Sequence, residues 1–507
     1  MDFIAVILLL AVFYLRPQEW VGALSTLRPA MFVLGFAIIT MFIRERGFSF
    51  KSLFKTAHDW LIFAFFIWIM FTADSAMDAW SRVKVFFISY IVIVQAVNNL
   101  HRLNLLLVWW MCFLTFIALI SILSLYGIDP LGSSYVTNEV NKGRLSLNLS
   151  LFDNPNALGH NIVPLLLMCY FYFIWKRPFF IKEIGIFIML IPSYCLYLTQ
   201  SKGAFLSGFI STIIGFTFGR PKFVQILILA GAMTFGWAGL QMLPRMEQMS
   251  RMRSDQGVIV RIQAWETGIN MMKWLYPKGT GIDTFPAVFQ QFHGYPKASH
   301  SSYVQIGTEL GYGGLFLFIG ILYCCFRTLI RVRTESETEE RVRRVLLIML
   351  VSYSVSSWLI GWGMNLVFYV TAGSIAAFQR LMDEKIEKQI EEFNETVQLG
   401  ILDRSETTLI STPIGRDFEP DSKPVVQTQL QQLVPAVSAV SSTADGIVPV
   451  STTPVFTLQG PKTESRIETE NQIKKKIWRR PRILDIILIW GLTYLVIWFW
   501  QYVIKKF

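Results

Sequence analysis

The residues best suited to chemistry lie in one polar stretch, Gln241–His300, and in the apolar run that follows it. The stretch is basic, with Arg245, Arg251, Arg253, Arg261, Lys273, Lys278 and Lys297. A cationic cluster of this kind suits an anionic ligand. Ile262, Trp265, Ile269 and Met272 recur at helical spacing, which predicts an amphipathic helix lying at a membrane interface. Arg261 would stand at its start, where free backbone amides also favour an anion. The competing reading of Arg261 is a solvated loop arginine. His300 can orient or deprotonate a hydroxyl. A lone histidine at a helix start equally suits a local backbone partner. Glu309 falls about two turns into the next apolar run. A carboxylate at mid-bilayer costs about 2.5–3.5 kcal/mol, so Glu309 is either functional or the partner of a basic residue. Asn156 precedes another apolar run and suits a helix cap or a ligand contact. His293 and Asp283 read as solvated, and His58, His101 and His160 as without a role.

Other chemistries find no support. The chain has no P-loop, no G-x-G-x-x-G opening a helix, no H-E-x-x-H and no G-x-S-x-G. Its five cysteines, Cys112, Cys169, Cys195, Cys324 and Cys325, all sit in apolar runs and read as small buried hydrophobes. No metal or other cofactor is expected. The formal charge of +11 does not indicate a nucleic-acid partner, because the basic residues stand at the ends of apolar runs.

The elements that must position these residues are membrane-spanning helices. Of 507 residues, 53% are hydrophobic and only 16% charged, against about 25% charged in a soluble domain. The apolar residues come in runs near the ~20 residues that cross a bilayer. The expected fold is all-α and polytopic: about 12 core transmembrane helices plus one C-terminal helix, with a long, partly helical outer loop. The runs fall near 2–16, 28–43, 59–73, 83–97, 103–125, 158–175, 182–199, 203–219, 222–241, 301–326, 344–362, 365–381 and 483–502. The first lacks a basic n-region and a cleavage site, and reads as a retained helix. With the N-terminus in the cytoplasm, every second connection is rich in Lys and Arg, from Arg44 and Arg46 to Arg341, Arg343 and Arg344. Tyr126–Ala157 and Gln241–His300 then lie outside. Residues 1–382 form the core, with its outer loop at 242–300. Residues 383–482 open with the charged helical string DEKIEKQIEEF and continue poor in aromatics, so they read as a disordered cytoplasmic linker. Lys474, Lys475, Lys476, Arg479, Arg480 and Arg482 then anchor the last helix, 483–507.

The strings RIQAW from Arg261, YPKGTG from Tyr276, and HSSY from His300 with ELG from Glu309 resemble the core of the O-antigen ligase and polymerase superfamily. FDNPN at Phe152–Asn156 and QSKGA at Gln200–Ala204 are similar to two upstream motifs of that family. The resemblance covers roughly residues 130–325. It departs in having Lys202 where the family has arginine, and Ser301 where it has asparagine. Lysine keeps the charge but loses the bidentate fork that grips phosphate.

The resemblance implies a metal-independent glycosyltransferase or ligase of the bacterial cytoplasmic (inner) membrane, working at its periplasmic, outer face. The donor would be an undecaprenyl-diphosphate-linked glycan, and the acceptor a hydroxyl on a glycan, lipid or protein. His300 and Arg261 would be catalytic; Lys202, Arg144, Glu309, Asn156 and Tyr303 would bind substrate. A repeat-unit polysaccharide polymerase of the same superfamily remains open. So does a lipid-glycan transporter or flippase, although the two related halves with broken helices expected of one are not visible. A third reading is an assembly scaffold whose tail recruits partners.

Overall fold

A computed structural model describes residues 1–43, 53–131, 143–241, 256–275, 278–408 and 478–506. Arg44, Arg46, Arg245, Arg251, Arg253 and residues 409–477 lie outside the described residues, so the linker expected at 383–482 falls mostly there. The described residues are helical, with no strand among them. They fall in a large unit, Met1–Lys385 with Trp478–Phe507, and a second, Ile386–Ile477.

The chain opens with α1 (Asp2–Leu15), α2 (Pro29–Ile43), α3 (Ala57–Thr72), α4 (Ala76–Ala96) and α5 (Leu100–Ser124). Next come α6 (Pro155–Cys169), which ends in a π turn at Tyr170–Ile174, α7 (Phe179–Thr199), α8 (Lys202–Thr217) and α9 (Lys222–Gln241). Two helices, α10 (Gln256–Asn270) and α11 (Phe285–His293), occupy the stretch expected outside. The chain then forms α12 (Ser302–Arg331), α13 (Glu337–Ser356), α14 (Leu366–Thr408) and α15 (Ile483–Lys506). Five segments are long and apolar enough to cross a membrane: Leu100–Ser124, Pro155–Ile174, Phe179–Thr199, Ser302–Arg331 and Ile483–Lys506. Shorter apolar helices, α1, α2, α3 and α8 among them, accompany these five. The protein is a membrane protein of helical architecture.

Polar residues start the helices where the sequence changes from polar to apolar. Thr56 and Asp59 form a reciprocal capping box on α3, and Ser336 with Glu339 forms one on α13. Asn154 caps α6, with Pro155 in its first turn. Ser201 caps α8 and Ser301 caps α12.

Several arginines at one end of the bundle satisfy helix carbonyls. Arg341 Nε donates to Phe171 O at 3.0 Å, at the end of α6. Arg344 Nη1 donates to Phe218 O at 3.1 Å, at the end of α8. Arg102 Nη1 donates to Ala96 O at 2.8 Å, at the end of α4. A helix C-terminus leaves carbonyls without intrahelical partners, and a cation there is doubly favourable. These arginines thus close the helix ends.

A buried polar cluster ties α3, α4 and α14 together at this end. Asp59 Oδ2 accepts from Thr56 N at 2.7 Å, and Asp59 Oδ1 accepts from the Tyr90 hydroxyl at 2.8 Å. Arg380 Nη2 lies 2.8 Å from Asp59 Oδ2, with both side chains almost fully buried. Removing one partner of such a pair leaves an uncompensated charge and costs about 3–5 kcal/mol. Asp59→Ala should therefore lower the thermal stability of the detergent-solubilised protein sharply, and adding Arg380→Met should restore most of the loss. An unchanged melting temperature in Asp59→Ala would contradict this account of the cluster.

Candidate functional site at the end opposite the basic residues

The geometry of the site starts from an interruption in α12. Gly311 has φ 65 and ψ −164, values no helix contains. The break frees carbonyls inside an apolar bundle, where each needs a partner. Gly281 N donates to Glu309 O at 2.9 Å, Thr280 N to Thr308 O at 3.3 Å, and Trp68 Nε1 to Leu310 O at 2.8 Å. The glycine-rich turn therefore lies directly on the ELG string. Gly279 shows why glycine is needed: its φ is +99, and a Cβ there would sit 2.2 Å from Glu309 O.

Glu309 takes part in the same construction. Its carboxylate is fully buried and accepts from Phe285 N at 3.2 Å, at the start of α11. Gln305 Nε2 lies 3.4 Å from both of its oxygens. Glu309 thus holds the first turn of α11 onto α12, and it does not line the cavity described below.

Helix α10 packs against α12 through its apolar stripe. Trp265, Ile269 and Met272 are buried, and a Cβ on Gly268 would meet Thr308 Oγ1 at 2.7 Å. The stripe expected at a lipid interface is therefore covered by protein. The helix starts at Gln256, so Arg261 stands in its second turn and not at its free amides. Trp265 Nε1 donates to Ser299 O at 3.2 Å, which ties α10 to the residue before His300.

His300 is held at φ 52, the left-handed region. That conformation costs a non-glycine residue about 1 kcal/mol or more. It persists because both flanks are fixed. Ser302 N donates to Ser357 O at 2.7 Å, Ser302 Oγ to Ile360 O at 3.0 Å, and Trp362 N to Ser302 Oγ at 2.7 Å. Ser301, where the family has asparagine, caps α12 and donates to Ser357 O at 3.2 Å.

These elements enclose a cavity of about 300 Å³. Arg261, His300 and Asn156 all line it, as do Asn154, Gln305 and the 359–362 turn. Burial and the positive charges of Arg261 and Lys297 push the His300 imidazole down from 6.5 to about 4. It is therefore neutral at every pH above about 4, able to accept a proton from a ligand. Its side chain makes no hydrogen bond among the described residues, so the local backbone partner considered from sequence is not observed there.

The other expected residues stand around this cavity. Arg144 Nη2 donates to Asn156 Oδ1 at 2.9 Å, and its Nε to Thr199 O at 2.9 Å. The Ser201 hydroxyl also donates to Asn156 Oδ1, at 2.8 Å. Arg144 therefore orients Asn156 from behind the cavity wall. Lys202 opens α8 beside this group and is half-buried. Tyr303 is buried; its hydroxyl donates to Ser354 O at 3.1 Å and its ring lies 4.6 Å from that of Trp358. Its place is in the aromatic packing under the cavity. Asp283 and His293 are exposed, as read from sequence; Asp283 lies 3.4 Å from the equally exposed Arg82, and His293 Nε2 lies 2.9 Å from Thr267 Oγ1.

Residues 184–319 match the O-antigen ligase family. Over that segment the chain is similar to O-antigen ligases, and the resemblance read from its motifs is borne out there. No curated protein matches the chain. The ligase match takes in Lys202, Arg261, His300, Tyr303 and Glu309. It leaves out Asn156 and the 359–362 turn, which line the same cavity, and Arg144, which holds Asn156. O-antigen ligase and polymerase function implies a lipid-linked glycan donor and a glycan acceptor in general.

Sequence reasoning missed Gln305, Asn154 and the turn Leu359–Trp362. The turn lies inside an apolar run and carries no polar signal. It also missed His160, which is buried, with Nδ1 2.7 Å from Ser356 Oγ and its ring 6.0 Å from Trp362. A Cβ on Gly203 would lie 3.0 Å from His160 Nε2, which gives a physical reason for glycine in the SKGA string.

The glycine turn gives a direct test. Gly279→Ala should distort the seat of α11 and lower both folded yield and thermal stability. Gly294→Ala, at φ +80 with nothing within 4 Å of the added Cβ, should cost only about 1 kcal/mol. Equal stability of the two variants would contradict the close approach of the turn to α12.

Proposed function

We propose that this protein transfers an undecaprenyl-diphosphate-linked glycan to an acceptor hydroxyl at the outer face of the bacterial cytoplasmic membrane, in the manner of an O-antigen ligase. The observation that carries the reading is the meeting of Arg261, His300 and Asn156 on one cavity at the end of the bundle away from the basic cluster. By the positive-inside rule the basic end is cytoplasmic, which puts the cavity outside.

In this reaction the acceptor oxygen attacks the anomeric carbon. The bond from that carbon to the diphosphate oxygen breaks, and the electron pair leaves with the lipid diphosphate. The acceptor proton passes to the neutral imidazole of His300. Arg261 holds the negative charge that develops on the leaving diphosphate, with Lys202, at the start of α8, supplying a second positive charge. Loss of one such preplaced group typically costs about 10²–10³ in rate. Arg144 and Ser201 fix Asn156, which then orients substrate. The side chains supply both charge and base, so the chemistry proposed is metal-independent.

The accompanying architecture is a core of about twelve spans in residues 1–382 with the outer loop at 242–300, and a further span at 483–507. Helices α1 to α9 and α12 to α14 would supply the core, alternating in direction as the basic connections require. Residues 383–482 are proposed as a cytoplasmic linker with no part in the chemistry.

The test is transfer by purified protein in detergent, with EDTA present, from a diphosphate-linked lipid oligosaccharide. Lipid-linked and free repeat-unit acceptors would be offered in parallel, which separates ligase from polymerase. Wild type should turn over, and Arg261→Ala and His300→Ala should each lose about a hundredfold or more with folding unchanged. The acid limb of the wild-type rate should fall near pH 4, as the imidazole takes up its proton. Retained turnover in both variants would overturn the assignment. Flux of the labelled glycan lipid through vesicles, undiminished in both variants, would favour the transporter.

A further inference from the structure

The last helix, α15, lies outside the segment that matches the ligase family. Most of it faces outward: Trp490 is 62% and Trp498 50% exposed. One face is buried, formed by Asp485, Ile489, Thr493 and Trp500. Those residues recur at helical spacing, so the helix has a stripe built for the bundle.

Both ends of the stripe are locked. At the basic end Asp485 Oδ1 accepts from the Tyr323 hydroxyl at 2.7 Å and lies 3.2 Å from Arg327 Nε. Its Oδ2 accepts from Trp478 Nε1 at 3.0 Å, and the Arg327 guanidinium lies 3.7 Å from the centre of that indole. At the other end Trp500 is fully buried. Its indole fills a notch left by two glycines. A Cβ on Gly268 of α10 would meet Trp500 Cζ2 at 3.2 Å, and one on Gly307 of α12 would meet Cζ3 at 3.4 Å. Trp500 Nε1 donates to Trp265 O at 2.9 Å.

Trp265 is the residue through which this contact reaches the cavity. It stands one helical turn beyond Arg261, and its own indole N–H holds Ser299 O, beside His300. We infer that Trp500 is a positioning residue: by seating its indole between Gly268 and Gly307 and holding Trp265 O, the C-terminal helix fixes Arg261 and His300 in their mutual placement. The last helix is thus a working part of the site, joined to it through a tryptophan pair. This inference rests on the transfer reaction proposed above.

The test uses the full chain and the same lipid-diphosphate transfer assay, with kcat and KM separated. Trp500→Phe keeps the ring and loses the N–H, and should lower kcat about fivefold, the size of one net hydrogen bond. Trp500→Ala should lower it by roughly tenfold to a hundredfold, as displaced reacting groups do. Trp498→Ala, on the outward face of the same helix, should turn over as wild type. The double variant Arg261→Ala/Trp500→Ala should be no slower than Arg261→Ala alone, because residues that act as a unit are non-additive.

Wild-type kcat in Trp500→Ala, beside an inactive Arg261→Ala, would overturn the positioning role and leave the transfer reading standing. Losses that add in the double variant, or an equal loss in Trp498→Ala, would mark general helix damage and also overturn it. Equal turnover in wild type and Arg261→Ala would instead sink the transfer reading beneath it.

Discussion

A helix broken inside an apolar bundle must find partners for the carbonyls it frees. In α12 the break at Gly311 is met by the turn at Thr280–Gly281 and by the indole of Trp68. That requirement brings the outer stretch down onto the bundle. Once the turn is seated, Glu309 can hold the start of α11, and the chain from α11 to Ser299 runs past α10. The cavity follows from this order of constraints. Its walls come from segments far apart in sequence, near residues 156, 261, 300 and 360.

At one end of the bundle arginines close helix C-termini. At the other, one arginine and one neutral histidine share a cavity with an asparagine held by Arg144 and Ser201. Burial first, and then the positive charge of Arg261, holds the neighbouring imidazole neutral. In the proposed reaction Arg261 would hold the leaving group and keep the base neutral beforehand, which would make its placement from Trp265 matter.

Much of this was legible in the sequence for physical reasons. The long apolar runs gave helices, because a backbone in lipid must satisfy itself. The cap of α6 was placed two residues late, since Asn156 was read as the cap and Asn154 holds that position. Arg261, His300 and Asn156 stood out mainly because they fall in strings that resemble the family's motifs, and all three line the cavity. Glu309 and Tyr303 stood out for the same reason, yet they hold the framework. Residue type alone does not separate a buried carboxylate that caps a helix from one that meets substrate. The 359–362 turn gave no signal, since its contribution is shape and backbone. The amphipathic stripe of α10 was read correctly as a stripe, but its cover is α12 and α15, which periodicity cannot name. The last helix looked like a topological anchor, because Trp500 shows its role only beside Gly268 and Gly307.

The central claim is that one outward-facing cavity takes the donor between Arg261 and His300. Ala157 and Ala298 line that cavity and carry no proposed chemistry. Each can be changed to cysteine in a chain whose exposed Cys112 is replaced by serine. Intact cells would be treated with a membrane-impermeant maleimide, and purified protein labelled with and without lipid-diphosphate glycan. The account expects both cysteines to label from outside and both to be protected by donor. Labelling only in broken cells, or labelling that donor does not slow at either position, would contradict it.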